Sequence, residues 1–597
     1  MPAAASRAPR GSGMLLLSLC LLLGCPSPAR AVSSTPLDRG GDPATPLAER
    51  PEVVAPAERD ARPPDGPGAL PADSLIAWPP DWVCGHLRHV TVETASIFRR
   101  GEQEGEYFHA RLANALHFKT RPEVVRRGLY LRRGQRVCRD DLEAALRRLR
   151  NYGFLHGDVR IGIAADADSI DLVVRTRDVW STRPAVKFGK QGSLWTWAAR
   201  LEETNLLGLG KQFMVEVGHD ERESFWGWAY GDPQWFGRDL ALGLSMARGA
   251  ELRSEGLLVR RPFARPTTPW GMRLDAWRYE GKRIDRRGGV NGPEWTTKAW
   301  LALARAGPRV AGGARRALRI LPTFYWASET YQPPDSTSPA TAGGPCARRI
   351  AGEPLRDRER RAVGLTLDWV REAYVRRRGV DLLDAWEDIN LGTQAQALLA
   401  YSLRRWGAER DAGYLQLDLE QGLDPGRRGL ARLLVRGYGE VGAGGIGDAL
   451  LVLLLRGYAA LSNRQTLALR LEADLSRGLA PQDLPTLGAE HGLRGFDAYR
   501  FWGEHACGAS LENRVRLVED VLGVLSLGGV VFLEAGTTWS RGCASEAKGR
   551  ACAGVGLRVQ GSRTSGRFVT RLDLGHPLAG AEEGDGWVAS VALGQAF

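Results

Sequence analysis

At 597 residues the chain is too long for one ordinary compact core, so a leader, a soluble domain and a larger unit behind them are expected. A formal charge of +12 falls to +9 when Arg7, Arg10 and Arg30 leave with the leader described below, because positions 1–31 contain no acid. No stretch past residue 31 approaches the roughly 20 apolar residues of a membrane helix, which argues against a helical membrane protein and leaves a barrel open, since barrel strands are short and hide half their residues from lipid.

Arg7 and Arg10 precede the apolar run Met14 to Leu23, and Ala29-Arg30-Ala31 supplies small residues where a signal peptidase would cut. Residues 1–31 are therefore read as a secretory signal cleaved after Ala31, with a lipoprotein cut before Cys25 as the competing reading. An exported chain makes nucleic acid an unsuitable partner, and its arginines then belong to solvated loops and lumen or to anionic lipid headgroups. Excluding Cys20 and Cys25, six cysteines enter an oxidising compartment. Cys543 and Cys552 flank a polar segment that suits a loop staple; Cys84 with Cys138, and Cys346 with Cys507, are further pairings. Scattered histidines and the lack of Cys-x-x-Cys argue against structural metal.

Residues 32–78 are rich in Pro, Ala, Asp and Arg without apolar period and read as a disordered arm. From Val83 the texture changes. Val90 and Val92 alternate like a half-buried strand, and Thr120-Arg121-Pro122-Glu123 spells a capping box opening the helix "EVVRRGLYL". Asp140 or Asp141 caps the next helix, with Leu142, Leu146, Leu149 and Tyr152 on its apolar face and Gly153 as its stop. Two strands follow, Val159/Ile161/Ile163 and Ile170/Leu172/Val174, about a turn at Asp166-Ala167-Asp168. The expected order over 79–182 is strand, helix, helix, strand, strand.

After Trp180 helical periodicity all but vanishes. In "RDLALGLSMARG", Leu240, Leu242, Leu244 and Met246 share one face while Asp239, Ala241, Gly243 and Ser245 share the other, one side suited to lipid and one to water. "KQFMVEVG", "AVGLTLDWV", "QTLALRLEAD" and "RFVTRLDLG" repeat the design, and aromatics such as Trp226, Trp228, Trp300 and Trp326 gather as in interfacial girdles. A soluble propeller would seldom keep one face so consistently polar. Residues 183–597 are thus expected to form an all-β transmembrane antiparallel β-barrel of 16 to 20 strands behind one small α+β domain. Gly442-Ala443-Gly444-Gly445-Ile446-Gly447 fits a dinucleotide-loop spelling, but without a parallel βαβ unit it argues for no cofactor, and "NLLGLGKQ" fails as a phosphate loop.

These pieces resemble the outer-membrane assembly and translocation proteins of the BamA/TamA type, the bacterial surface antigen family. The unit over 79–182 looks like a POTRA domain, "RTRDVWSTRPAVKFG" like the run-in to the family's barrel, and "EETNLLGLGKQ" and "YGDPQWFG" like its first turns. The resemblance implies an external loop folded back into the lumen, whose Arg-Gly-aromatic tip meets an acid of a Phe-x-Asp-x-Gly strand. Arg494-Gly495-Phe496 supplies the tip, because it sits in a long Gly-containing connection, whereas Arg436-Gly437-Tyr438 and Arg456-Gly457-Tyr458 lie in strand-like runs. Phe532, Glu534 and Gly536 supply the strand, with glutamate in place of aspartate, and Glu512 and Arg514 resemble the family's Glu-x-Arg. Five strands are expected after the loop, starting near Leu511, Gly529, Val555, Arg567 and Trp587. Leu593, Gln595 and Phe597 on the closing strand resemble the sorting signal of such barrels.

The implied protein is not an enzyme and has no cofactor. It sits in the bacterial outer membrane with its POTRA domain in the periplasm, and it inserts proteins into that membrane or translocates them across it. Its partners are unfolded outer-membrane or secreted clients received by strand addition, membrane lipids and helper lipoproteins. The alternatives are a dedicated exporter of the two-partner type, a passive pore or an outer-membrane enzyme.

Overall fold

The computed structural model describes residues 83–98, 114–155, 159–166, 168–191, 194–219, 223–285, 293–333, 353–383, 385–426, 428–489, 491–521, 525–541, 547–561, 569–582 and 585–593. The segments expected as leader and arm, and Cys25, Cys346, Cys543, Gln595 and Phe597, lie outside these residues.

The first unit contains β1 (Cys84–Ala95), α1 (Pro122–Gly128), β2 (Arg136–Cys138), α2 (Arg139–Asn151), β3 (Arg160–Asp166) and β4 (Ser169–Arg177). Its sheet runs β2-β1-β4-β3, with β1 and β4 parallel and the outer pairs antiparallel. Alternating apolar residues of the strands and one face of each helix meet in a single core that includes Val125, Leu142, Leu149, Ile161, Ile170, Leu172 and Val174. Three features differ from the expected pattern. The short strand β2 intervenes between the helices and pairs only with Cys84, Gly85 and His86 of β1. The capping residue of α1 is Arg121 with no side-chain cap; Thr120 instead donates its N–H to Asp178 Oδ2 (2.7 Å) and accepts from Asn205 Nδ2 (2.8 Å), so it joins this unit to the next. For α2 the capping position is Cys138, and Asp141, one turn in, accepts the Cys138 N–H at 3.1 Å.

Twenty strands form the second unit: β5 (Thr182–Gln191), β6 (Leu194–Glu203), β7 (Gln212–His219), β8 (Ser224–Asp232), β9 (Ala241–Gly249), β10 (Arg253–Arg261), β11 (Trp270–Ile284), β12 (Glu294–Gly312), β13 (Arg316–Gln332), β14 (Arg358–Arg371), β17 (Thr393–Ser402), β18 (Ala412–Leu423), β19 (Gly429–Gly442), β20 (Gly445–Ser462), β21 (Gln465–Arg477), β24 (His505–Val521), β25 (Leu525–Trp539), β26 (Arg550–Gly561), β27 (Val569–Ala579) and β28 (Val588–Leu593). Each pairs antiparallel with its neighbour in sequence, and β28 lies beside β5, closing the barrel. Two connections carry hairpins of their own, β15 (Tyr374–Arg378) with β16 (Trp386–Asn390), and β22 (Thr486–Leu487) with β23 (Phe501–Trp502).

The period of two sorts the walls. Leu365, Leu367, Leu399, Leu415, Leu417, Val531, Leu533, Val555, Leu572 and Leu574 are exposed on the outer face, with Trp197, Trp226 and Trp300 among them, while alternate residues are buried inside. On β9, Ala241, Gly243, Ser245 and Ala247 are buried and Leu242, Leu244 and Met246 face outward, as their alternation predicts. Among the described residues no helix is long and apolar enough to cross a membrane.

Because β5 starts where the α+β unit ends, connections alternate between the barrel end touching that unit and the far end. At the near end, Arg265 in the β10–β11 turn donates to Asp141 of α2 (3.1 Å), and Arg315 in the β13 approach donates to Asp140 (2.6 Å). The connection bearing β15 and β16 is also at this end, whereas residues 478–504 enter from the far end.

Candidate functional site: a loop tip locked in the barrel lumen

Charged residues spaced by two along a barrel strand point to one face, so Glu512 and Arg514 of β24, Phe532 and Glu534 of β25, Cys552 and Arg558 of β26, and Arg571 and Asp573 of β27 all face the lumen. Into this wall descends the tip of residues 478–504. Gly492, at φ 84°, turns the chain in the left-handed region that favours glycine. Leu493, Phe496, Leu487, Phe501, Ala506 and Cys552 then form a small apolar cluster, with the Phe496 and Phe501 rings edge-to-face at 5.1 Å.

Arg494 is 1% exposed. Its Nε donates to Glu534 Oε1 at 2.8 Å, its backbone N–H donates to Glu534 Oε2 at 2.7 Å, and its guanidinium lies over the Phe532 ring at 3.6 Å. Nη2 forms an ion pair with Glu512 at 2.7 Å, and Nη1 donates to Asp573 at 3.1 Å. Glu512 also holds Arg514 (2.7 Å), and Asp573 holds Arg558 (2.5 Å) and lies 3.5 Å from Arg571. Three carboxylates thus face four guanidinium groups in a site closed to solvent. Charges so buried persist only when paired and hydrogen-bonded.

Gly495 permits this approach. A Cβ there would lie 2.5 Å from the Cys552 Cβ and 2.9 Å from the His576 carbonyl carbon. Its N–H donates to Cys552 Sγ at 3.3 Å. Cys552 is a free, buried thiol, which corrects the expected staple with Cys543, and Cys507 is likewise free. Cys84 and Cys138 are joined as a disulfide between β1 and the start of α2. Gly536 lines the same wall, where a Cβ would stand 3.1 Å from Leu487 of the loop. The structure therefore brings together Arg494, Gly495, Phe496, Phe532, Glu534, Gly536, Glu512 and Arg514. Leu593 is apart from them on β28.

Sequence reasoning missed Asp573, Arg558, Arg571 and Cys552 as members of this site. It also missed a second lumen element. The β15–β16 hairpin rises from the near end, burying Val380, Leu382 and Leu383. Arg514 Nη1 donates to the Val380 carbonyl (2.8 Å), Gln560 accepts the Leu383 N–H (2.6 Å), and Arg432 donates to Asp381 (3.1 Å). The Glu387 carboxylate accepts the N–H groups of Val380, Asp381 and Leu382 and so shapes the hairpin tip. At its base Arg150 of α2 forks onto Asp388 at 2.8 and 2.9 Å, and the Arg147 guanidinium covers the Tyr374 ring at 4.6 Å. One polar chain therefore runs from the loop tip through Glu512 and Arg514 to the hairpin and on to α2.

No protein-family model matches the chain, and no curated protein matches it. Among solved structures, CdiB from Acinetobacter baumannii aligns at 11% identity and TM-score 0.42, covering 85% of this chain and 74% of that one. CdiB from Escherichia coli aligns at 12% and 0.44, covering 85% and 76%. BamA from Haemophilus ducreyi lacking POTRA domains 1-3 aligns at 13% and 0.39, covering 85% of each chain.

Proposed function

We propose that the chain is an outer-membrane protein of the BamA/TamA type that inserts polypeptides into the membrane or translocates them across it, without enzymatic chemistry or a cofactor. In this reading residues 1–31 are a signal peptide, 32–78 an arm, 79–182 a periplasmic POTRA domain and 183–597 the membrane barrel. The observation that carries it is the Arg494 tip, seated on Glu534, Glu512 and Asp573 inside a closed barrel with an apolar outer face.

The α+β unit supplies a receiving edge. Strand β2 covers only residues 84–86 of β1, and among the described residues no strand pairs with β1 beyond Leu87 on that side. An edge left uncovered by a strand in this way suits addition of an unfolded client strand. Client entry into the lumen then requires the β15–β16 hairpin to move, and α2 grips that hairpin through Arg150. A client bound on the sheet is therefore in a position to bias the hairpin. Membrane burial of the client's outward apolar residues supplies the driving free energy.

The test is assisted folding: urea-unfolded barrel clients are added to liposomes with and without the purified chain. Faster client folding with the wild type, reduced by Arg494→Ala at equal barrel content, supports the reading; no acceleration by the wild type contradicts it.

A further inference from the structure

On β13, Arg316, Leu318, Ile320, Pro322 and Phe324 share the outer face, while Ala317, Arg319 and Leu321 are buried. On β14, Arg371 shares the outer face with Trp369, Leu367 and Leu365. Arg316 and Arg371 are direct cross-strand partners. Two exposed guanidinium groups therefore stand opposite each other at the near end of the barrel, just beyond its apolar belt. Like charges so placed repel, and among the described residues neither forms an ion pair with a carboxylate.

Both line a cavity of about 1020 Å³ that also takes in Arg315, Trp369, Arg376 and Arg377. Of its two acids, Glu372 lies 3.5 Å from Arg147 of α2, and Asp424 lies 3.8 Å from the cavity's own Arg377, leaving Arg316 and Arg371 without either. Arg315 is held by Asp140 and Arg376 faces Asp388 at 3.8 Å, so these two carboxylates sit toward α2 and the hairpin. The outward mouth keeps its positive charge, with a tryptophan beside it.

We propose that this cavity binds an anionic phospholipid headgroup of the inner leaflet, with the phosphodiester between Arg316 and Arg371 and the acyl chains along Leu318, Ile320 and Leu367. The inference rests on reading the barrel as membrane-spanning. A phosphate offers acceptor oxygens to two guanidinium forks at once, which relieves their repulsion. The volume is at the upper end for small-molecule pockets and accommodates a headgroup with its glycerol. Arg315 and Glu372 join the same rim to α2, so a bound lipid lies against the joint between the barrel and the α+β unit.

The experiment is native mass spectrometry of the full chain in detergent, titrated with phosphatidylglycerol, phosphatidylcholine or inorganic phosphate. The wild type is expected to retain phosphatidylglycerol in preference to phosphatidylcholine. The double variant Arg316→Ala/Arg371→Ala should lose that retention by about thirty-fold, the scale of two guanidinium contacts to an anionic headgroup, while Arg464→Ala, an exposed near-end arginine outside the cavity, leaves it unchanged. Equal retention by the double variant, equal retention of both lipids, or binding of phosphate that phosphatidylglycerol does not displace would overturn the proposal. Heat-modifiable migration on gels, run alongside, separates the two readings: a chain without it fails the barrel assignment, whereas an intact barrel without lipid selectivity fails this inference alone.

Discussion

Replacing Arg494 by alanine removes one guanidinium from a site in which its partners are unequally served. Glu512 keeps Arg514 at 2.7 Å and Asp573 keeps Arg558 at 2.5 Å, but Glu534 loses its guanidinium and retains the Ser510 hydroxyl at 3.2 Å and the backbone N–H of position 494. Breaking a buried pair from one side costs about 3–5 kcal/mol, and the surviving partners place this case near 3 kcal/mol. The loss falls on seating of the loop, because β24 and β25 remain paired along their whole length. About 3 kcal/mol corresponds to roughly a hundredfold rise in the open population. Amide hydrogen exchange measures it: the protected N–H groups of Leu493, Arg494, Gly495 and Phe496 should exchange about a hundredfold faster, with β24 and β25 unchanged. Unchanged exchange at the tip in a folded barrel would refute the lock.

Gly495→Ala should open the same loop, since its Cβ would meet the Cys552 Cβ and the His576 backbone; the tip amides would again report it, and wild-type protection would show that the seat is loose. Glu534→Gln should cost less than Arg494→Ala, about 1–2 kcal/mol, because Arg494 keeps Glu512 and Asp573; the two changes combined should be sub-additive in a double-mutant cycle. Asp388→Ala frees Arg150 and should raise protease access to residues 379–385 without altering tip exchange at 493–496; identical digestion patterns would argue against the clamp. Replacing Cys84 and Cys138 by serine opens a loop with a sequence separation of 54 and, on the chain-entropy account, destabilises the α+β unit by about 4 kcal/mol, read as a lower urea midpoint for that unit.

Much of this architecture is legible in the chain because period-two alternation is strong, as on β9, and because the Arg494 loop is a Gly-containing connection unlike the strand-borne Arg436 and Arg456. The five strands after the loop are present, although β24 begins at His505 and β26 at Arg550, earlier than the apolar runs indicate, since small residues such as Ala506, Gly508, Ala551 and Gly554 continue the pairing beyond the oily part. Asp573, Arg558 and Arg571 were readable as lumen charges by alternation, but which carboxylate meets which arginine depends on register, which spacing alone does not fix. The β15–β16 hairpin escapes for a different reason. Its apolar tip, Val380, Leu382 and Leu383, is brief and flanked by Arg376, Arg377, Glu387 and Asp388, a composition shared with any solvated turn. Thr120 reads as a cap by local rules, yet its partner Asn205 is 85 residues away.

If a locked loop, a lumen hairpin and a strand-receiving domain together handle unfolded polypeptides at a membrane, loss of the chain must show in the membrane's protein content. Depleting the chain in its own cell and quantifying the outer-membrane proteome addresses this directly. Other membrane barrel proteins should fall as the chain is lost, and the wild-type gene should restore them while the Arg494→Ala gene does not. An unchanged protein content accompanied only by altered solute uptake would contradict it.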